Sequence, residues 1–419
     1  MVDFDSYYQK LVQDASDPFL RQAVEKAVVN YRARKETWEK RVTNIKELAK
    51  ELKSRREKAI EHLDENIKKA VEIMQENGMK VYQAKNAAEA CKIALDLVGN
   101  EKLITKVKSL TTEEIGLNEY MEEHGKEIWE TDVGAVLLQV AHRKAAHPTG
   151  VSISVPKEVF AEYFSKLAGR KLPPDPKVLV AFVRDFIREK CMESKVAISG
   201  ANAITADTGT IYLVTNEGND RLVTSLPDKH IVIAGIDKVM PDRDTANLYC
   251  QVMPLYTTGH ATTQYITQIM GISSSSDIER LSVKPAAGPA EIDVILLDNG
   301  RREMAHDPEY KEAFRCLRCG TCLYDCPVWN LVAHDYGEYV YMGGLGVPWT
   351  LFTVGLDAVA TQAMSCTQCG RCKEVCPMEI DTPNLIRRTR SDLLKSKMMP
   401  KQIIAMQNNV IQKGSPYVR

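Results

Sequence analysis

Residues 316–327 read CLRCGTCLYDCP, and residues 366–377 read CTQCGRCKEVCP. Both follow the pattern C-x2-C-x2-C-x3-C-P, the ligand run of bacterial-type iron–sulfur modules that hold two clusters. Three thiolates two residues apart wrap a tight loop around one cubane face. The fourth, displaced by three residues and followed by proline, points away toward the neighbouring cluster. The spacing therefore predicts two 4Fe–4S clusters that exchange their fourth ligands. Cluster one takes Cys316, Cys319, Cys322 and Cys376; cluster two takes Cys366, Cys369, Cys372 and Cys326. Zinc is the alternative, but it favours separated C-x2-C pairs and gains nothing from a cysteine at x3 before proline. Gly320 and Gly370 follow the second ligand of each run, where a small residue lets backbone N–H groups approach cluster sulfur.

Between the two runs lie 39 residues, 327 to 365. Compact ferredoxins use a shorter, strand-rich joint. The longer spacer and the helical pattern at Thr382–Lys397 resemble the helical ferredoxin module of respiratory iron–sulfur subunits. Inside the spacer, Tyr339 to Leu356 carries no charge over 18 positions. That length approaches a membrane span, but Gly343, Gly344, Gly346, Pro348 and Gly355 are poor in a helix interior. A buried or partner-covered loop is expected, lying over the clusters, against another subunit, or both. Two clusters in one module suit one-electron relay and do not by themselves take a hydride.

Working outward, the chain has 419 residues, too many for a single core, and divides into three stretches. Residues 1–75 form an N-terminal helical region. Val42, Ile45, Leu48, Leu52, Leu63 and Ile67 recur at helical spacing within a charged background. This reads as a helix packed on its own domain rather than as a docking arm. Residues 76–300 alternate short apolar runs with helical patterns, which argues for an α/β layered domain. Strands are expected at 80–83, 103–107, 135–140, 196–199, 210–215, 230–236 and 292–297. Helices are expected at 86–98, 112–123, 157–167 and 177–191. Residues 301–419 form the two-cluster ferredoxin module. No dinucleotide fingerprint or P-loop is readable.

The composition narrows the function. The formal charge is −1, which gives no argument for nucleic acid. No secretory signal is visible at the N-terminus, and eight of 11 cysteines crowd between Cys316 and Cys376. That distribution is not a disulfide framework and fits a cytoplasmic protein without a transmembrane segment. Peripheral association at the cytoplasmic membrane face would come through a partner. Cys91, Cys191 and Cys250 read as inert structural residues.

Residues 109–132, SLTTEEIGLNEYMEEHGKEIWETD, resemble the lactate-utilisation (LUD) domain, as does the run from Ser199 to Pro241. The stretch LLDNGRREMAHDPEYKEAFRCLRCGTC then joins that domain to the first cysteine run as in the family's iron–sulfur subunit. The resemblance spans roughly residues 30 to 390. It implies an α/β fold like that of sugar-phosphate isomerases and CoA transferases. It also implies an electron-transfer subunit of a complex that oxidises L-lactate to pyruvate. The implied partners are a cysteine-rich CCG-domain subunit and a second LUD protein. Two departures stand out: Asp207 replaces the family's glutamate before Thr208-Gly209-Thr210, and a stretch ending His147-Pro148 replaces the usual Pro-Ser-His.

Within the LUD domain, Thr208, Gly209, Asn216, Glu217 and Arg221 form the candidate ligand pocket, with Lys106 and Lys108 as further charges. The plainer reading is that 216–219 is an ordinary turn. His230 reads as a structural hydrogen-bonder. Three functions follow. The first is a non-catalytic iron–sulfur electron-transfer subunit of the lactate-utilisation type. The second is a relay linked to a flavoprotein dehydrogenase or electron-transfer flavoprotein acting on another substrate. In the third, the LUD pocket is itself catalytic. No flavin or nicotinamide signature is readable, so a partner is expected to carry the hydride-accepting cofactor.

Overall fold

Strands β7 (Lys229–Gly235) and β10 (Glu291–Leu297) are mostly apolar and buried on both faces, as a parallel strand covered on two sides requires. They pair in parallel, Ile231 opposite Asp293 and Ile233 opposite Ile295. The computed structural model describes residues 2–417. It builds a six-stranded, all-parallel sheet around this pair by adding β1 (Lys80–Ala84), β2 (Leu103–Lys106), β3 (Glu127–Glu130) and β4 (Val196–Ser199). The strand order is β1-β10-β7-β4-β2-β3. Alternate residues face opposite layers. Ile231, Ile233, Ile295 and Leu297 pack with Ala90, Cys91 and Ala94 of the helix Ala87–Val98. Val232, Ala234, Val294 and Leu296 pack into the core on the other side.

That second core includes a smaller sheet of β5 (Ala203–Thr205), β6 (Ile211–Thr215), β8 (Val239–Met240) and β9 (Tyr265–Ile269), ordered β8-β5-β6-β9. It also includes the helices Ile45–Glu61, Leu63–Glu76 and Arg243–Thr258. Ile45, Leu52, Leu63, Ile67 and Met74 are buried there, so this apolar stripe is a core face and not a docking arm. The α/β layering, the N-terminal helices and the mainly helical C-terminal module are as the sequence predicts.

The N-terminal helices pack on the cysteine-rich module. Asp17 caps the helix Pro18–Glu39, its Oδ1 accepting from the amides of Phe19 (2.8 Å) and Leu20 (3.3 Å), an arrangement worth about 1 kcal/mol. Proline at the first helical position costs nothing there because that N–H is unpaired anyway. Leu20, Val24, Val28 and Tyr31 of this helix pack on Tyr324, Trp329 and Tyr336 of the cysteine-rich module. Phe4 packs on Val347, Val359 and Leu393. The first 39 residues therefore brace the C-terminal module, while residues 45–76 brace the α/β domain.

Two expectations are corrected. Residues 135–140 are not a strand but part of the helix Val133–Ala141, capped by Asp132, whose side chain accepts from the Ala135 amide. Four successive residues of it, Ala135 to Leu138, are buried, so its apolar run shows no helical period. The uncharged segment is likewise not a loop, since Gly343–Thr353 is helical and buried from Gly343 to Thr350. Tertiary packing overrides propensity there. A Cβ on Gly346 would lie 2.0 Å from the Tyr341 carbonyl oxygen and 2.4 Å from Gln362 Nε2. That close approach lets Gln362 donate to the carbonyls of Tyr341 (2.7 Å) and Gly343 (2.9 Å). Trp349 is 1% exposed and stacks beside Phe314, so of the two expected placements this aromatic takes the buried one; Tyr339 alone of the segment's aromatics is exposed. Among the described residues no helix is long and apolar enough to cross a membrane.

Candidate functional site

The two cysteine runs fold alike. In each, the residue two positions after the first cysteine is left-handed, Arg318 at φ 55° and Gln368 at φ 58°. Their amides donate to the first sulfur, Arg318 to Cys316 Sγ at 3.2 Å and Gln368 to Cys366 Sγ at 3.3 Å. Gly320 (φ 76°) and Gly370 (φ 82°) then open the short helices Thr321–Tyr324 and Arg371–Glu374 that carry the third ligands. At Gly320 a side chain is barred twice, by this conformation and by His147, whose ring a Cβ would meet at 2.3 Å.

The structure brings the thiol of Cys376 among Cys316, Cys319 and Cys322, close enough for mutual electrostatic interaction. Cys326 stands in the same relation to Cys366 and Cys372, and Cys372 to Cys369. A small cavity is lined by Cys326, Cys366, Cys369 and Cys372. As free thiols these groups are ill placed. Burial pushes Cys326 and Cys376 up to about 12 and Cys372 to about 11. Such thiols become thiolates only beside a strongly cationic centre, which iron supplies.

Two further observations fit the groups those thiols would hold. Tyr336 is fully buried, and its hydroxyl stands beside the Cys366 and Cys326 thiols. Beside Cys316 the buried cations Arg56, Arg301 and Arg318 gather around the buried carboxylates Asp237 and Glu114, with Lys238, which burial lowers to about 7, next to them. An excess of positive charge in an apolar interior needs an anion, and a thiolate-ligated cubane is one. Arg301 is the hub of that network, pairing Glu114 (2.7 Å) and Asp237 (2.7 Å) while Tyr341 hydrogen-bonds Glu114. Burial alone would raise the Asp237 carboxyl, but Arg318, Lys238 and Arg301 outweigh it and hold it below the usual range.

The two centres differ in exposure. Cys316 and Cys319 are buried, whereas Cys369 is exposed. On the inner side, Leu317 and Arg318 form part of the wall of a cavity of about 280 Å³ in the α/β domain. Its floor lies at the carboxyl ends of β2 and β4, where Lys108 and Gly200 follow the strands, the usual ligand position in open α/β sheets. Asn216 and Glu217 of the sequence-predicted pocket line it. Thr208 and Gly209 do not; they sit in the β5–β6 turn against Met74 and Asn77. Arg221 lies over the Tyr265 ring instead. Lys106 is buried in a pair with Glu130 (2.5 Å). Burial, then the neighbouring Asp132, push the Glu217 carboxyl up to about 7. Lys238, Arg318 and Asp220 line the cavity and were not singled out from the sequence.

An α/β domain with a cavity abutting a buried cysteine run, and a second run reaching the surface, fits an iron–sulfur electron-transfer protein. Residues 312–380 match the 4Fe-4S dicluster domain and residues 67–297 match the LUD domain. The chain belongs to the LUD-domain family and carries two 4Fe–4S clusters. It is 30% identical to lactate utilization protein B of Bacillus subtilis, over 94% of this chain and 81% of that protein. It is 31% identical to lactate utilization protein B of Bacillus licheniformis, over 93% and 81%. Its identity to the uncharacterized electron transport protein YkgF of Escherichia coli is 28%, over 91% and 79%.

Proposed function

We propose that this chain is the cytoplasmic iron–sulfur relay of a multi-subunit complex that oxidises L-lactate to pyruvate. Its clusters are held by Cys316, Cys319, Cys322 and Cys376, and by Cys366, Cys369, Cys372 and Cys326. The observation that supports the reading is that the Cys326 thiol stands by Cys366 and Cys372 while the Cys376 thiol stands by Cys316, as two adjacent one-electron centres with exchanged fourth ligands would need. One is buried against the cavity and the other reaches the surface at Cys369. When bound, the clusters supply one-electron transfer and nothing else. The chain's own residues hold them, keep water from the inner one and leave the outer one open to another redox protein. A CCG-domain subunit and a second LUD protein are the partners this reading requires.

Anaerobically purified chain should contain about eight iron atoms, four per cubane. Cys376→Ser should remove the spectroscopic signal of the buried cluster and spare the exposed one. Loss of the exposed cluster instead would refute the exchanged ligation. The reconstituted complex should reduce both clusters with L-lactate, while the isolated chain should not. Reduction of the isolated, flavin-free chain by lactate would replace the relay with a catalytic LUD pocket.

A further inference from the structure

The smaller sheet has an open edge. β9 (Tyr265–Ile269) pairs with β6, and among the described residues no strand lies on its other side. Which backbone groups are left free follows from β6. The Tyr212 carbonyl accepts from the Asn202 amide and the Val214 amide donates to Asn202 Oδ1, so the even residues of β6 point away from β9 and the odd ones toward it. Ile211, Leu213 and Thr215 lie opposite Ile269, Thr267 and Tyr265. In an antiparallel ladder such pairs exchange their amide and carbonyl bonds, which leaves the N–H and C=O groups of Ile266 and Gln268 pointing outward. A row of this kind accepts a further strand.

Proteins usually blunt such an edge with charge or proline. Here residues 261–276 contain no Asp, Glu, Lys, Arg, His or Pro. The side chains divide by face. Tyr265 lies beneath Arg221, Thr267 bonds Asp220 and Ile269 packs toward the core, whereas Ile266 (44% exposed), Gln268 and Met270 face solvent. An arm follows, in which Ser275 and Val283 form an antiparallel bridge and residues 276–287 are all exposed. It presents Ile278, Leu281 and Val283 to water, and its Asp277 and Glu279 are balanced by Arg280 and Lys284.

We propose that β9 pairs antiparallel with β9 of a second copy of this chain, Thr267 opposite Thr267 on a twofold axis. In that register Ile266 of one copy lies opposite Gln268 of the other, so every outward N–H and C=O of the strand meets a partner. A shift by two residues loses this match, because it sets Gln268 opposite Gln264, whose amide is already given to Asn216 Oδ1 at 3.2 Å, or sets Ile266 opposite Met270 beyond the strand. The faces also agree: Tyr265 comes opposite Ile269, both on the side turned to the core. The charge pattern favours a second copy as the occupant. Identical strands without charge meet no repulsion, and a twofold axis can set the acids of one neutral arm against the bases of the other. The pairing is independent of what the clusters serve.

The test uses the full cluster-loaded chain under anaerobic conditions. Analytical ultracentrifugation over a range of concentrations should give a reversible equilibrium between the 47.0 kDa chain and its dimer. Hydrogen exchange at the Ile266 and Gln268 amides should slow as the dimer forms, while the amides of β6 stay as they are. Because position 266 faces position 268 of the other copy, paired charges read the register. Ile266→Lys with Gln268→Lys sets like charges opposite each other, and Ile266→Lys with Gln268→Glu sets unlike ones. The contact occurs on both sides of the axis, so the Lys/Lys variant should dissociate about tenfold or more above the Lys/Glu variant. Both side chains face solvent, which spares the fold, and the exchange pattern of the unaltered chain decides the matter without any variant. A chain that stays monomeric at every concentration would overturn the proposal. So would a dimer whose Ile266 and Gln268 amides exchange at the monomer rate, or equal dissociation of the two variants. Protection of those amides only when other subunits are added would give the edge to an unlike partner and likewise overturn pairing with a second copy.

Discussion

His147 Nε2 donates to the carbonyl oxygen of Gly320 across 3.2 Å, tying a loop of the α/β domain to the middle of the first cysteine run. The tautomer is fixed by the other nitrogen. Nδ1 lies 3.2 Å from the Thr149 amide and 3.3 Å from the Gly150 amide, both donors, so it must accept. The ring also stacks on Tyr324, centroids 4.5 Å apart, and burial holds it neutral, down at about 3. His147→Phe keeps the stack and loses the donor. It should cost about 1–3 kcal/mol, the toll of an unmet buried carbonyl and lost amide acceptor. Thermal melting of the loaded protein should fall, and hydrogen exchange should rise across residues 316–326 before it rises in the sheet.

Arg301 holds two buried carboxylates at once. Arg301→Met removes the cation, leaves buried Glu114 without its ion-pair partner and takes from Asp237 one of three cations, Arg318 and Lys238 remaining. The expected loss is about 3–5 kcal/mol. Soluble yield and melting temperature report it. A double variant, Arg301→Met with Glu114→Gln, should recover part of the loss, and failure to recover any would mean the arginine acts by packing alone.

The buried hydroxyl of Tyr336 stands beside Cys326 and Cys366, where it adds to the amide donors already aimed at those sulfurs. Hydrogen bonds to cluster sulfur stabilise the reduced, more negative state. Tyr336→Phe should therefore lower the potential of the exposed cluster by tens of millivolts and leave the buried one in place. Redox titration followed by electron paramagnetic resonance separates the two. An unchanged potential would show that the hydroxyl does not donate to that centre.

His230 gives the fold an acid-sensitive point in its central sheet. Its ring is fully buried, Nε2 is 2.7 Å from Ser199 Oγ, and burial lowers it to about 4. The unfolded chain, at about 6.5, binds the proton more readily. Its contribution to stability is thus complete above about pH 6.5 and lost as pH falls toward 4, at up to about 1.4 kcal/mol per pH unit. His230→Gln should flatten the fall in melting temperature between pH 6.5 and 4.5. An unaltered slope would place the acid sensitivity elsewhere.

The cysteine runs were legible because their chemistry is local: ligand spacing, left-handed residue and short helix all lie within 12 positions. The parallel strands were legible from continuous apolar runs such as His230–Ile236. Val133–Ala141 was not, since a helix buried over four successive residues reads like a strand until its cap at Asp132 is weighed. Gly343–Thr353 was misread because its glycines and proline are poor in a helix interior, whereas here they serve close packing, Gly346 against Gln362 and Gly344 against Ile386. The cavity was half visible. Asn216 and Glu217 follow a strand and invite attention, but Arg318 lay inside the cysteine motif and read only as spacing. Asp220 and Lys238 join it from distant positions in the chain, and no local pattern announces a site assembled that way.

The unequal burial of the two runs bears on how the protein ages in air. Cys369 opens the outer centre to solvent while Cys316 and Cys319 are enclosed. Dioxygen and peroxide reach an exposed cubane first, so damage should proceed from the surface inward. Protein handled aerobically should pass through a stage with roughly half its iron, in which the inner centre survives without an outlet. A partner seated over Cys369 would then be a shield as well as an electron acceptor, and the complex should outlast the lone chain.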